Sequence, residues 1–153
     1  MPIRKLLVHE PRDLIDSNTP LAVLRIAADL EFILFEKLHF EKQINPELMY
    51  KWTLGTYIKW CEKNELIDRK WVATLEKFNK IRNLIVHNRT VYNAIKRDST
   101  KERKLREFLH SICNFMEESE TKYISNQKLE KTYSQFFDKK DKEFFKIFNS
   151  LGN

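Results

Sequence analysis

Hydrophobic residues recur at three- and four-residue spacing along most of the chain, the period of helices with one buried face. Thr19-Pro20 supplies a start signal, a threonine cap followed by proline at the first helical position. From there Leu24, Ala27, Leu30, Leu34 and Leu38 share a face up to about Phe40. Ile26, Ile33 and Phe35 widen it, which predicts a helix sandwiched between neighbours. Asn45-Pro46 repeats the start signal and predicts a short turn of helix. Thr53 then opens a segment from Leu54 to Lys63 with Leu54, Tyr57, Ile58 and Cys61 inward, and Asn64 is its stop. Asp68 predicts the cap of a third major helix carrying Trp71, Leu75, Phe78 and Ile85.

Residues 88–98 are polar and basic, and read as a loop or an irregular helix. A fourth helix from about Lys101 to Tyr123 sets Leu105, Phe108, Leu109, Ile112, Cys113 and Met116 at three-four spacing. Past Ser125, charges alternate with Phe136, Phe137, Phe144, Phe145, Ile147 and Phe148. There Lys139 to Leu151 predicts an amphipathic helix with an aromatic face, which either caps the core or docks a partner. The expected architecture is a single domain over 1–153. An N-terminal arm covers 1–18, a helical bundle 19–124 and an aromatic-rich helical extension 125–153. The fold class is all-α, an antiparallel bundle of four to five helices.

Composition narrows the function. The 153 residues include two glycines, Gly55 and Gly152, too few for a dinucleotide fingerprint or a phosphate-cradling loop. No apolar run approaches the ~20 residues of a spanning helix. Leu6-Leu7-Val8 is too short for a signal-peptide core, so a cytoplasmic protein without membrane contact is expected. Cys61 and Cys113 lie within amphipathic patterns, read as small buried hydrophobes, and have no histidine beside them to suggest a nucleophile. His39 and His110 lack partners at metal-ligand spacing, and His9 lies in the arm, so neither a metal nor another cofactor is expected. Trp52, Trp60 and Trp71 suit core or interface better than base stacking.

The net charge of +6 is unevenly spread. Between Lys77 and Arg106 ten Lys/Arg face only Asp98 and Glu102, a window of +8 that leaves the rest of the chain at −2. A solvated helix face explains such a run; a polyanionic partner such as RNA is the sharper explanation. Lys80, Arg89, Lys96 and Arg97 are the candidate RNA contacts.

The third helix carries the candidate chemistry. Stepping about 100° per residue from Trp71, Leu75, Phe78 and Ile85 fall within roughly 40° of it, and Arg82 lands inside that apolar stripe. Asn83 and His87, four apart, stack on one flank, and Leu84 points away from the core. An arginine in an apolar stripe needs a partner or a polar cleft. Asp29 and Glu31 are available for a structural ion pair.

The run Phe78-Asn79-Lys80-Ile81-Arg82-Asn83-Leu84-Ile85-Val86-His87-Asn88 resembles the signature of the HEPN family. That signature is an arginine, a polar residue directly after it and a histidine four to six positions on, near the end of a bundle helix. The long apolar first helix and the segment Leu54-Gly55-Thr56-Tyr57-Ile58-Lys59-Trp60 add to the resemblance, which covers about residues 19–124.

The resemblance implies a metal-independent endoribonuclease in which two protomers join their motifs in one composite cleft. The RNA 2′-hydroxyl is the nucleophile, and the products carry 2′,3′-cyclic phosphate ends. His87 is then the acid-base group, Arg82 the stabiliser of phosphate charge, and Asn83 an orienting or phosphate-holding residue. A homodimer, single-stranded RNA and a toxin or anti-phage role follow, with an antitoxin or other protein as a further partner. Family toxins neutralised by a nucleotidyltransferase often carry a tyrosine two positions after the histidine; Arg89 stands there, and Tyr92 is the nearest downstream. The family also holds non-catalytic modules that bind RNA or protein, which is the alternative expectation.

Overall fold

The structure, a computed structural model, describes residues 3–5, 9–122 and 126–152. It is all-helical apart from one short ribbon. In chain order the elements are β1 (Ile3–Lys5), α1 (His9–Ser17), α2 (Thr19–Lys42), α3 (Pro46–Met49) and α4 (Leu54–Lys63). Then come α5 (Arg69–His87), α6 (Arg89–Lys96), α7 (Ser99–Glu118), β2 (Glu120–Lys122) and α8 (Gln127–Phe148). The three-residue strands pair antiparallel, Ile3 opposite Lys122.

Eight helices among the described residues replace the four to five expected. The difference lies in the short ones. The expected arm contains α1, whose Ile15 is fully buried, and the stretch 88–98, read as a loop or an irregular helix, holds the eight-residue α6. The C-terminal helix starts at Gln127 rather than Lys139, because Leu129, Tyr133, Phe136 and Phe137 already give it a buried stripe. The expected end of the fourth helix at Tyr123 lies outside the described residues; the helix stops at Glu118.

Capping chemistry explains most boundaries. Asn18, not Thr19, caps α2 by accepting the Leu21 N–H at 3.3 Å, and Thr19 lies inside the helix with its hydroxyl donating to the Ile15 carbonyl. Asn45 caps α3, and Thr53 caps α4 by accepting the Thr56 N–H. Asp68 occupies the cap position of α5 but makes no side-chain cap bond. Asn88 caps α6, and Asp98 caps α7 by accepting from Thr100 and Lys101. Thr53→Ala removes a cap oxygen from an exposed position and is expected to lower stability by about 1 kcal/mol, read from the midpoint of urea unfolding.

α2 forms the spine. It packs against α1, α4, α5 and α7, which bury Ala22, Val23, Ile26, Leu30 and Leu34. Leu75 and Phe78 of α5 and Leu109, Ile112 and Cys113 of α7 complete the core. Leu24, expected inside, is 46% exposed on the side of α2 that these helices leave open. α8 lies over the C-terminal half of α2. There His39 is buried, with its two ring nitrogens each 2.9 Å from a carbonyl oxygen, of Ile44 and of Leu129. The final turns of α8 extend away from this contact, so Phe144, Phe145, Ile147 and Phe148 are exposed and the three phenylalanines pack on one another. The aromatic face of Lys139–Leu151 therefore does not cap the core, a role taken by the first half of α8, and is left bare.

Candidate functional site

α5 is continuous from Arg69 to His87, and its register decides how Arg82, Asn83 and His87 are presented. Leu75 and Phe78 are fully buried and anchor the helix, while Trp71, Ile81 and Ile85 are half-buried at the edge of the core. Arg82 follows in the same stripe and is half-buried. Asn83 and His87 lie on the exposed flank, one helical turn apart. His87 is the last residue of α5, because Asn88 leaves the helical conformation to cap α6. Its imidazole therefore stands at a helix junction, open to solvent.

Arg82 shares with Arg106 a buried, unpartnered Nε, but unlike Arg106 it has no carboxylate paired to it among the described residues. Its Nη1 donates to Asn83 Oδ1 at 2.9 Å, and its Nε is buried with no hydrogen-bond partner among the described residues. No ion pair neutralises it there. Asp29, one expected partner, lies 3.4 Å from Arg25 instead. Glu31, the other, makes no ion pair with Arg82, yet the guanidinium charge reaches it. Burial pushes the Glu31 carboxyl above the ordinary carboxylate range, and Arg82 pulls it part of the way back. A buried guanidinium donor without an acceptor is costly unless something anionic completes it. Asn83 is engaged with Arg82, and no hydrogen bond joins it to His87 among the described residues.

The candidate RNA contacts are spread over two helices. Lys80 is exposed on α5, and Lys96 and Arg97 are exposed at the end of α6. Arg89 opens α6, and its side chain lies outside the described residues. Since α6 packs on both α5 and α7, the junction at Asn88 carries His87 on one side and this basic helix on the other. Some cations of the +8 window are paired on α7: Arg103 lies 3.8 Å from Glu107 just beyond the window, and Arg106 contacts Glu102 within it. Leu84 is 53% exposed beside the motif, and Tyr92 is half-buried on α6.

The remaining candidates have structural surroundings. Cys61 and Cys113 are buried free thiols, pushed up by burial to about 12 and about 11, so neither is a thiolate at neutral pH. Trp52 and Trp60 stack on each other at 4.9 Å, and Trp71 packs against Phe115. Among the described residues no group of three His, Cys, Asp or Glu side chains could hold a metal ion, and no helix is long and apolar enough to cross a membrane.

One polar cluster escaped the sequence reading. Arg12 of α1 donates to Glu117 at 2.8 Å and to Asn114 at 2.6 Å, and its Nη1 lies 3.2 Å from His110 Nδ1, all on α7. The Glu117 hydrogen bond raises the Arg12 pKa, and the cluster ties α1 to the bundle. Its members are about a hundred residues apart, so no local spacing announces them.

Compared with known proteins, the chain matches no family model, no curated protein and no solved structure.

Proposed function

We propose that the protein is a metal-independent endoribonuclease of the HEPN type, cutting single-stranded RNA as a homodimer. The observation that carries this reading is Arg82, held by Asn83 in a half-buried position with one donor unpartnered and no ion pair among the described residues. A guanidinium so placed suits a phosphate, whose non-bridging oxygens accept its N–H groups and gain charge in the transition state.

In this reading the 2′-oxygen attacks the adjacent phosphorus, the P–O5′ bond breaks, and a 2′,3′-cyclic phosphate and a 5′-hydroxyl result. One His87 takes the 2′-hydroxyl proton and the second copy's His87 returns a proton to the departing 5′-oxygen. Each chain supplies one such histidine, so the reaction needs a C2 pair with the two junctions facing one cleft. Exposed Leu84 gives that pairing an apolar contact next to the motif. Lys80, Arg89, Lys96 and Arg97 would follow the RNA backbone, in a cytoplasmic toxin or anti-phage effector restrained by an antitoxin or another partner.

The deciding experiment is cleavage of an unstructured RNA in excess EDTA. We expect cutting to persist, to leave cyclic-phosphate ends, and to rise more steeply than linearly with protein concentration until the dimer saturates. Linear dependence down to a strictly monomeric protein removes the composite cleft. The second reading, a non-catalytic module that binds RNA or protein, is favoured by the bare aromatic end of α8. RNA binding without any cutting decides for it.

A further inference from the structure

The molecule holds a groove of about 320 Å³ between α2, the α3–α4 segment and α8. Phe32, Tyr50, Phe136 and Phe137 line it, Glu31 lies in its wall, and Lys140 stands at its edge. The groove combines aromatic rings with a carboxylate that makes no hydrogen bond or ion pair among the described residues. We propose that it is a base-recognition pocket for guanine, with Glu31 accepting two N–H groups from the base edge and Phe32 and Phe137 packing on the base. The proposal rests on the ribonuclease reading and names its specificity determinant.

Several observations select this occupant. Glu31 has neither a hydrogen bond nor an ion pair among the described residues, so both carboxylate oxygens are open to donors. The carboxylate is partly withdrawn from water, and a ligand bringing N–H groups would restore what burial removed. Phe32 and Phe137 meet edge-on with centroids 6.4 Å apart, and both keep exposed ring surface. Lys140 Nζ lies 3.8 Å from the Tyr50 ring centroid and 3.3 Å from Glu143, a surface pair that gives way readily to a phosphate. Arg82 does not line the groove, but its charge reaches the Glu31 carboxyl in the groove wall.

The choice among bases follows from edge chemistry. Guanine presents N1–H and N2–H side by side, matching two carboxylate oxygens. Adenine and cytosine set a ring-nitrogen lone pair beside their single amino group, and that lone pair faces the carboxylate unfavourably. Uracil flanks its one N–H with two carbonyls. In single-stranded RNA these edges are free, and recognition by ring stacking plus edge hydrogen bonds is the usual mode.

The test is titration of the folded protein with 5′-GMP, 5′-AMP, 5′-CMP and 5′-UMP, followed by chemical-shift perturbation, and needs no cleavage. We expect GMP to bind about tenfold more tightly than the others, in line with one bidentate edge contact. Glu31→Gln should lose that preference, and Phe32→Leu should weaken all four nucleotides alike. Equal affinity for the four, or selectivity that survives Glu31→Gln, overturns the pocket and leaves the ribonuclease reading standing. Tighter binding of argininamide than of GMP overturns it too, by assigning the groove to a protein cation. Guanine selectivity in a protein that never cuts RNA supports the pocket and overturns the ribonuclease reading.

Discussion

The His87→Ala protein should cut single-stranded RNA about 100-fold more slowly than wild type, or worse, because it loses the positioned acid-base group that moves both protons. The same change should barely affect folding. His87 is exposed at the last position of α5, packs into no core, and neither caps α6 nor bonds to Asn83 among the described residues. Substitutions at such positions usually stay within about 0.5 kcal/mol. Activity and stability therefore separate cleanly at this residue. Cleavage rates in EDTA and urea midpoints for the two proteins, measured side by side, carry the test. A stable His87→Ala protein that cuts as fast as wild type defeats the proposed chemistry.

Local boundary chemistry made much of the helical architecture legible before any coordinates. Thr53 and Asn64 bracket α4 where the sequence puts them, and Asn45-Pro46 starts α3, because each boundary is settled by one side chain and one backbone group. Where two capping residues adjoin, sequence cannot choose: Asn18 precedes Thr19, and the asparagine takes the cap. Helix α6 stayed undecided between a loop and an irregular helix. Its apolar positions Val91, Tyr92 and Ile95 are few, and only the bounding Asn88 and Asp98 mark it as a helix between two capped starts. Leu24 was misplaced for the opposite reason. α2 carries apolar residues around most of its circumference, so a three-four pattern can be drawn through the open side as well as the buried one.

The motif itself was readable because it is local. Stepping along one helix put Arg82 in the apolar stripe and Asn83 and His87 on its flank, and that is how α5 presents them. What surrounds Arg82 was not readable. Whether Asp29 or Glu31 would neutralise it depended on the packing of α2 against α5, and α2 turns Asp29 toward Arg25. The aromatic groove is further from reach, since it joins Glu31 and Phe32 to Phe137 and Lys140 across about a hundred residues of chain. Spacing rules operate within an element, whereas this pocket is made by α2, the α3–α4 segment and α8, which meet only in the folded protein.

Arg82→Lys should remain folded and still cut RNA about 100-fold to 1000-fold more slowly, the usual loss when one preorganised oxyanion donor is removed. Charge is kept, so a lysine there answers the field of Glu31 much as arginine does. Geometry is not kept. The guanidinium is a rigid fork whose Nη1 donates to Asn83 Oδ1 at 2.9 Å and leaves further donors for an anion, and an ammonium on a flexible stem does not reproduce that fork. Arg82→Ala is a poorer probe, because it also opens space in the half-buried stripe beside Ile81 and Ile85. Asn83→Ala completes the series. It frees the fork without removing it, so its activity should fall between wild type and Arg82→Lys, with the effect mainly on kcat. If Arg82→Lys cuts at the wild-type rate, the guanidinium serves only as a positive charge and the proposed hydrogen bonding of its fork to phosphate is wrong. If Arg82→Lys unfolds, the arginine is a packing residue, and its unpartnered Nε marks strain in the bundle rather than a place for phosphate.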